Sequence, residues 1–99
     1  MKGNHNMNYL DYARERVTFK ALKFTNHFKA WAVFAGATQM AVIYQDKPAG
    51  DFCVCAPFFP AYESFKREKL AREYLIKKYA DFRKKLDYVG AVNADFFEL

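Results

Sequence analysis

The chain is poor in the residues that usually run chemistry. Its 99 residues include one serine, Ser64, two histidines, His5 and His27, and two cysteines, Cys53 and Cys55. Schemes built on a Ser–His pair or on a cluster of metal ligands have almost nothing to draw on. The four glycines are isolated, so no glycine-rich loop is present to cradle phosphate. Two cysteines are too few for a secreted disulfide framework, and a reducing, cytoplasmic setting is expected. The longest apolar run, Ala30–Ala37, is far below the eighteen or so residues that a membrane span requires. Lys2 is followed by Gly3-Asn4-His5-Asn6, not by the apolar stretch of a secretory signal.

What remains is apolar, aromatic and basic. Hydrophobic residues make up 53% and Phe, Tyr and Trp 19%, which excludes a disordered chain. The length suits a single core. Residues 1–8 are expected to be a flexible N-terminus and residues 9–99 one domain.

Periodicity supplies the elements. Asn8 has the character of an N-cap, with Asp11 three residues on. Leu10, Ala13, Val17, Ala21 and Phe24 recur at spacings of three and four and fall within about 80° on a helical wheel. They predict a helix over 9–24. A strand from Val17 is the competing reading, because Val-Thr-Phe favours extended backbone. Alternation then takes over at Phe28–Phe34, Met40–Gln45 and Phe52–Ala56, separated by Gly36 and by the turn sequence Asp46–Asp51. Pro57 and Pro60 close the third strand, and residues 61–86, free of Gly and Pro, predict a long second helix ending before Gly90. The expected fold is α+β: a three-stranded antiparallel sheet with two helices, in the order α-β-β-β-α, and a trailing C-terminal segment.

Each strand offers two faces. Phe28, Ala30, Ala32, Phe34, Met40, Val42, Tyr44, Phe52, Val54 and Ala56 carry no charge and are expected beneath the helices. Lys29, Trp31, Val33, Ala41, Ile43, Gln45, Asp51, Cys53 and Cys55 form the other face. Trp31, Val33 and Ile43 are therefore expected as an exposed apolar patch, a candidate protein contact, unless the C-terminal tail covers them. Phe96, Phe97 and Leu99 join the same candidate set. A 26-residue helix is about 39 Å long and a seven-residue strand about 23 Å. The overhang then calls for cover from the tail or from a second subunit, so a homodimer is one reading.

The net charge of +5 equals the excess on residues 61–86, nine basic against four acidic residues. Glu63–Arg67, Glu68–Arg72, Glu73–Lys77 and Asp81–Lys85 are spaced as helical i, i+4 pairs. Lys66, Lys69, Lys78, Arg83 and Lys84 remain, and all but Lys78 form a stripe that suits phosphate, acidic protein or solvent. The order α-β-β-β-α resembles the double-stranded-RNA-binding domain, which implies phosphate contact by a basic second helix. The stretch Ser64-Phe65-Lys66-Arg67-Glu68-Lys69-Leu70-Ala71 lacks that family's Lys-Lys-x-Ala-Lys run, and membership is not assigned.

Cys53 and Cys55 face the same way on a strand, with Cα atoms about 6.6–6.8 Å apart, at the limit for a disulfide. They read as structural. His27 reads as a helix-end residue, and Asp11, Asp46 and Asp51 as cap and turn residues. The expectation is a non-enzymatic protein-binding module without cofactor or metal, docking on a protein or nucleoprotein partner. An accessory or inhibitor protein of a phage or mobile element fits that description, and a nucleic-acid-binding protein using the basic helix is the alternative.

Overall fold

A computed structural model describes residues 8–23, 26–56 and 61–97. The element order is α1 (Tyr9–Arg16), β1 (Val17–Ala21), β2 (Lys29–Ala35), β3 (Thr38–Gln45), β4 (Phe52–Ala56), β5 (Ala61–Phe65) and α2 (Glu68–Phe97). The chain is α+β with two helices, as expected, but the antiparallel sheet has five strands in sequential order, not three. Expectations for residues 1–7, Pro57, Pro60 and Leu99 lie outside the described residues.

Both extra strands come from segments expected to be helical. Asn8 does cap α1, its side-chain oxygen accepting from the Asp11 N–H at 3.1 Å. The helix stops at Arg16, however, and Val17 is extended at φ −85° and ψ 123°. The β-branched Val-Thr pair loses χ1 freedom in a helix but packs well on a pleated strand. Pairing with β2, Val17 opposite Ala35 and Phe19 opposite Val33, completes the choice. The helical stripe was misleading: Ala13 is fully buried, whereas Leu10 is 39% exposed. β5 likewise replaces the first turn expected for the long helix, with Phe65 opposite Phe52 and Ser64 opposite Cys53. α2 starts later, at Glu68, and continues through Gly90 to Phe97. The expected trailing segment is helical over that range.

Two turns set the register. Gly36-Ala37 joins β2 to β3 with Gly36 at φ 65°, the pattern of a II′ hairpin, which needs glycine first. A bulge between Val33 and Phe34 then adds Met40 to the core. Between β3 and β4 the Gly50 N–H donates to the Lys47 carbonyl at 2.9 Å, with Pro48 and Ala49 in the middle. Ala49 has φ 66°, the position where a type II turn prefers glycine.

The register inverts the expected faces of β2 and β3. Ile43 pairs with Trp31 on one side and Val54 on the other. These three residues, with Val33 and Ala41, join Ala71, Leu75, Ile76 and Tyr79 of α2 in the core. Trp31, Val33 and Ile43 are thus covered by the helices and are not an exposed patch. Val54 and Ala56 are in the core as expected. Phe28, expected in the core, is 50% exposed. Opposed residues in an antiparallel pair share a face, and 43 opposite 54 couples odd to even positions. The expected grouping had coupled even to even.

Ile43→Ala should lower the unfolding free energy by about 2–5 kcal/mol and Trp31→Ala by about 3–5 kcal/mol, read from denaturant midpoints. Cys55→Ala, on the exposed side, should change it by less than about 0.5 kcal/mol. Ala49→Gly should raise stability by roughly 0.5–1 kcal/mol, because relief of the left-handed strain outweighs the added chain entropy.

Candidate functional site: the sheet face away from the helices

Both helices lie on one side of the sheet, antiparallel to each other. Their contacts run from Arg14–Glu73 through Tyr12–Tyr79 to Tyr9–Asp87. The other side is built by the alternate residues. Ala30, Tyr44 and Cys53 form one row of register partners, and Lys20, Ala32, Val42 and Cys55 the next. Thr18, Phe34 and Gln39 form a third. Ala30 and Ala32 are 4% and 5% exposed, yet neither belongs to the core cluster under the helices. The short methyls of Ala30 and Ala32 stand opposite the larger Tyr44 and Val42 of β3, with Phe34 farther along β2, so the described residues step from small to large in a shallow apolar trough. Val42, Tyr44, Phe34 and Cys53 are half-buried, and Cys55 is exposed.

His27 closes one end of this face. It lies in the bend before β2, not at a helix end, and its ring packs on Tyr44 at 4.4 Å with a 31° tilt. Its Nδ1 is 2.6 Å from the Asp46 carboxylate, which ties the entry of β2 to the β3–β4 turn. Asp46 is therefore more than a turn residue. Cys53 and Cys55 are both free thiols. Among the described residues no group of three or more His, Cys, Asp or Glu is placed to hold a metal. No described helix is long and apolar enough to cross a membrane.

The basic candidates are dispersed. Lys66 precedes α2 and lies 3.5 Å from Asp51. Arg83 is 3.4 Å from Asp87, with its guanidinium 5.9 Å from the Tyr12 ring. Lys69 and Lys84 are exposed on α2. Of the four expected i, i+4 pairs, Glu68–Arg72 forms at 2.6 Å. Glu63 lies in β5, outside any helix, and Glu73 bonds Arg14 at 2.8 Å. With its observed limits α2 holds seven basic and five acidic residues, a net +2, so the charge is less concentrated than the 61–86 reading implied. Arg72 serves the core: its guanidinium lies 4.5 Å from the Phe19 ring and 6.0 Å from that of Trp31.

Of the expected protein contacts, Trp31, Val33 and Ile43 are on the covered side. Phe96 and Phe97 belong to α2, and their side chains, like Leu99, lie outside the described residues. The residues that do form the open face, Phe34, Val42 and Tyr44, were assigned to the core by sequence. The readable signal was Phe34 on the same strand as Ala30 and Ala32 and Tyr44 on the next one, but their side of the sheet depends on register. Compared with protein-family models, curated proteins and solved structures, the chain shows no significant match to any of them.

The Arg14 guanidinium holds the Glu73 carboxyl below its ordinary value of 4.5. A carboxyl whose folded value is depressed stabilises the fold above its unfolded value and loses that contribution as pH falls through the folded one. Both side chains are nearly half exposed, so the effect is small. Glu73→Gln should make the acid limb of the stability profile shallower below about pH 4.5, and Arg14→Gln should do the same. Denaturant midpoints measured as a function of pH check this.

Proposed function

We propose that the chain is a small protein-binding module that docks on a macromolecular partner through the face of its sheet away from the helices. The observation that carries the reading is the trough along Ala30 and Ala32, walled by Phe34, Val42 and Tyr44 and uncharged at its centre. Apolar surface kept outside the core of a small domain marks contact sites. Half-buried aromatics set on a rigid sheet provide anchors at low entropic cost. The action is occupancy of a partner's surface, which suits an accessory or inhibitory role.

The nucleic-acid reading draws less support. A platform that stacks bases needs open aromatic faces, and His27 already packs on Tyr44. Near the trough Lys20 is the one lysine in the register rows, and the negative Asp46 lies beside His27. Lys69 and Lys84 sit on the opposite side of the molecule, on α2.

A photo-crosslinker attached at Cys55 should capture a protein partner in extracts of the native host, with capture unaffected by nuclease and nearly insensitive to moderate salt. Phe34→Glu and Cys55→Arg should each weaken binding of the captured partner by about tenfold or more, or ~1.4 kcal/mol, while far-UV circular dichroism stays unchanged. Lys69→Glu with Lys84→Glu should leave it intact. Loss of capture on nuclease treatment, or sensitivity to the lysine changes in place of the sheet-face changes, overturns the reading.

A further inference from the structure

A second surface lies at one end of the sheet. The five strands follow one another in antiparallel order, so Ala21, Lys29, Gln45, Phe52 and Phe65 all stand at that end. Two contacts tie the segments there together. His27 Nδ1 lies 2.6 Å from the Asp46 carboxylate, which joins the entry of β2 to the β3–β4 turn. Lys66 Nζ lies 3.5 Å from the Asp51 carboxylate, which joins the same turn to the exit of β5.

Positive charge is denser here than on α2. Lys23, Lys29, Lys47, Lys66 and Arg67 stand against Asp46 and Asp51, a net +3, whereas the thirty residues of α2 carry +2. Both acids are taken up in the contacts between segments. Lys23, Lys29, Lys47 and Arg67 are exposed and, among the described residues, join no ion pair. Two large apolar side chains are exposed at the same end. Phe28 is 50% exposed and Leu22 39%, and neither belongs to the core cluster. Leu22 is held in place by its N–H, which donates to the Ala30 carbonyl at 2.9 Å. Lys29 Nζ lies 5.8 Å from the centre of the Phe28 ring.

Charge and apolar exposure together select the occupant. An anionic bilayer attracts cations held within a Debye length of its surface. Its acyl boundary takes up apolar side chains while lysine stems reach back to the headgroups. Duplex nucleic acid offers the charge but no apolar layer for Leu22 and Phe28. A stacked base needs an open ring, and Lys29 stands over that of Phe28.

We propose that this end of the sheet docks on a bilayer of anionic phospholipid, with Leu22 and Phe28 entering the headgroup layer and Lys23, Lys29, Lys47 and Arg67 facing the phosphates. The surface uses none of the residues that wall the trough, so it and the docking function stand or fall separately. In co-sedimentation, the full chain should bind phosphatidylserine-containing vesicles about tenfold or more tighter than vesicles of phosphatidylcholine alone, and less tightly as salt rises. Lys23→Glu with Lys47→Glu should abolish the binding, whereas the charge-matched Lys84→Glu with Lys85→Glu should leave most of it. Phe28→Gln and Leu22→Gln should each weaken it by about fivefold or more with far-UV circular dichroism unchanged, and Phe28→Leu should retain most of it. Phe34→Glu, which blocks docking through the trough, should leave vesicle binding intact. Equal binding to the two kinds of vesicle, or binding to neither, overturns the proposal. So does indifference to the Phe28→Gln and Leu22→Gln changes, and so does displacement from the vesicles by a duplex oligonucleotide.

Discussion

The pairing of Ile43 with Val54 across β3 and β4 decides which side of this protein is inside. Ile43, Val54 and, one strand over, Val33 are completely buried, and Leu75 of α2 is buried with them. Both helices are on one side of the sheet, so among the described residues only one set of alternate residues lies beneath a second layer. Every other assignment follows from that register. Trp31 goes under the helices beside Phe52, with ring centroids 6.1 Å apart, and Arg72 stacks above it. Tyr44, one residue from Ile43, goes to the open side. A slip of one residue in this pair exchanges the two faces completely.

Two outer strands make that arrangement sustainable. A three-stranded sheet has little width to carry two helices. β1 adds Val17 and Phe19 to the covered side, and β5 adds Phe65, whose ring lies 5.1 Å from that of Tyr74 on α2. The widened sheet also gives the open face a centre distant from its own edges. There, Ala30 and Ala32 of β2 beside Val42 and Tyr44 of β3 make relief without charge.

α2 joins unlike surroundings along one helix. Its start lies on the sheet, its middle is shared with α1 as far as Asp87, and ten helical residues follow that contact. Its charges follow this division. Glu68 and Arg72 pair locally over the core, Glu73 reaches Arg14 on α1, and Arg83 and Asp87 close the contact with Tyr9 and Tyr12. Salt bridges that sequence spacing would place within the helix are thus partly spent between helices. The guanidinium of a tertiary neighbour, Arg14, takes the place of the i, i+4 partner at Glu73.

The sequence by itself determined the elements with strong local signals: the Asn8 cap, the three central strands, the glycine-led turn at Gly36 and the body of the long helix. Each rests on a preference expressed within a few residues, such as capping, alternation or turn dihedrals. It also limited the available chemistry through its scarcity of serine and histidine. Tertiary structure decided the rest. Whether Val17–Ala21 extends or coils was settled by a strand partner at Ala35, and the fate of residues 61–65 by a partner at Phe52–Ala56. The side facing away from the helices was invisible because both sets of alternate residues are apolar at their centres, the charges of one set lying at its margins, and only the hydrogen-bonded register between strands separates them. Local periodicity tells which residues share a face; contact between distant segments tells which face meets water.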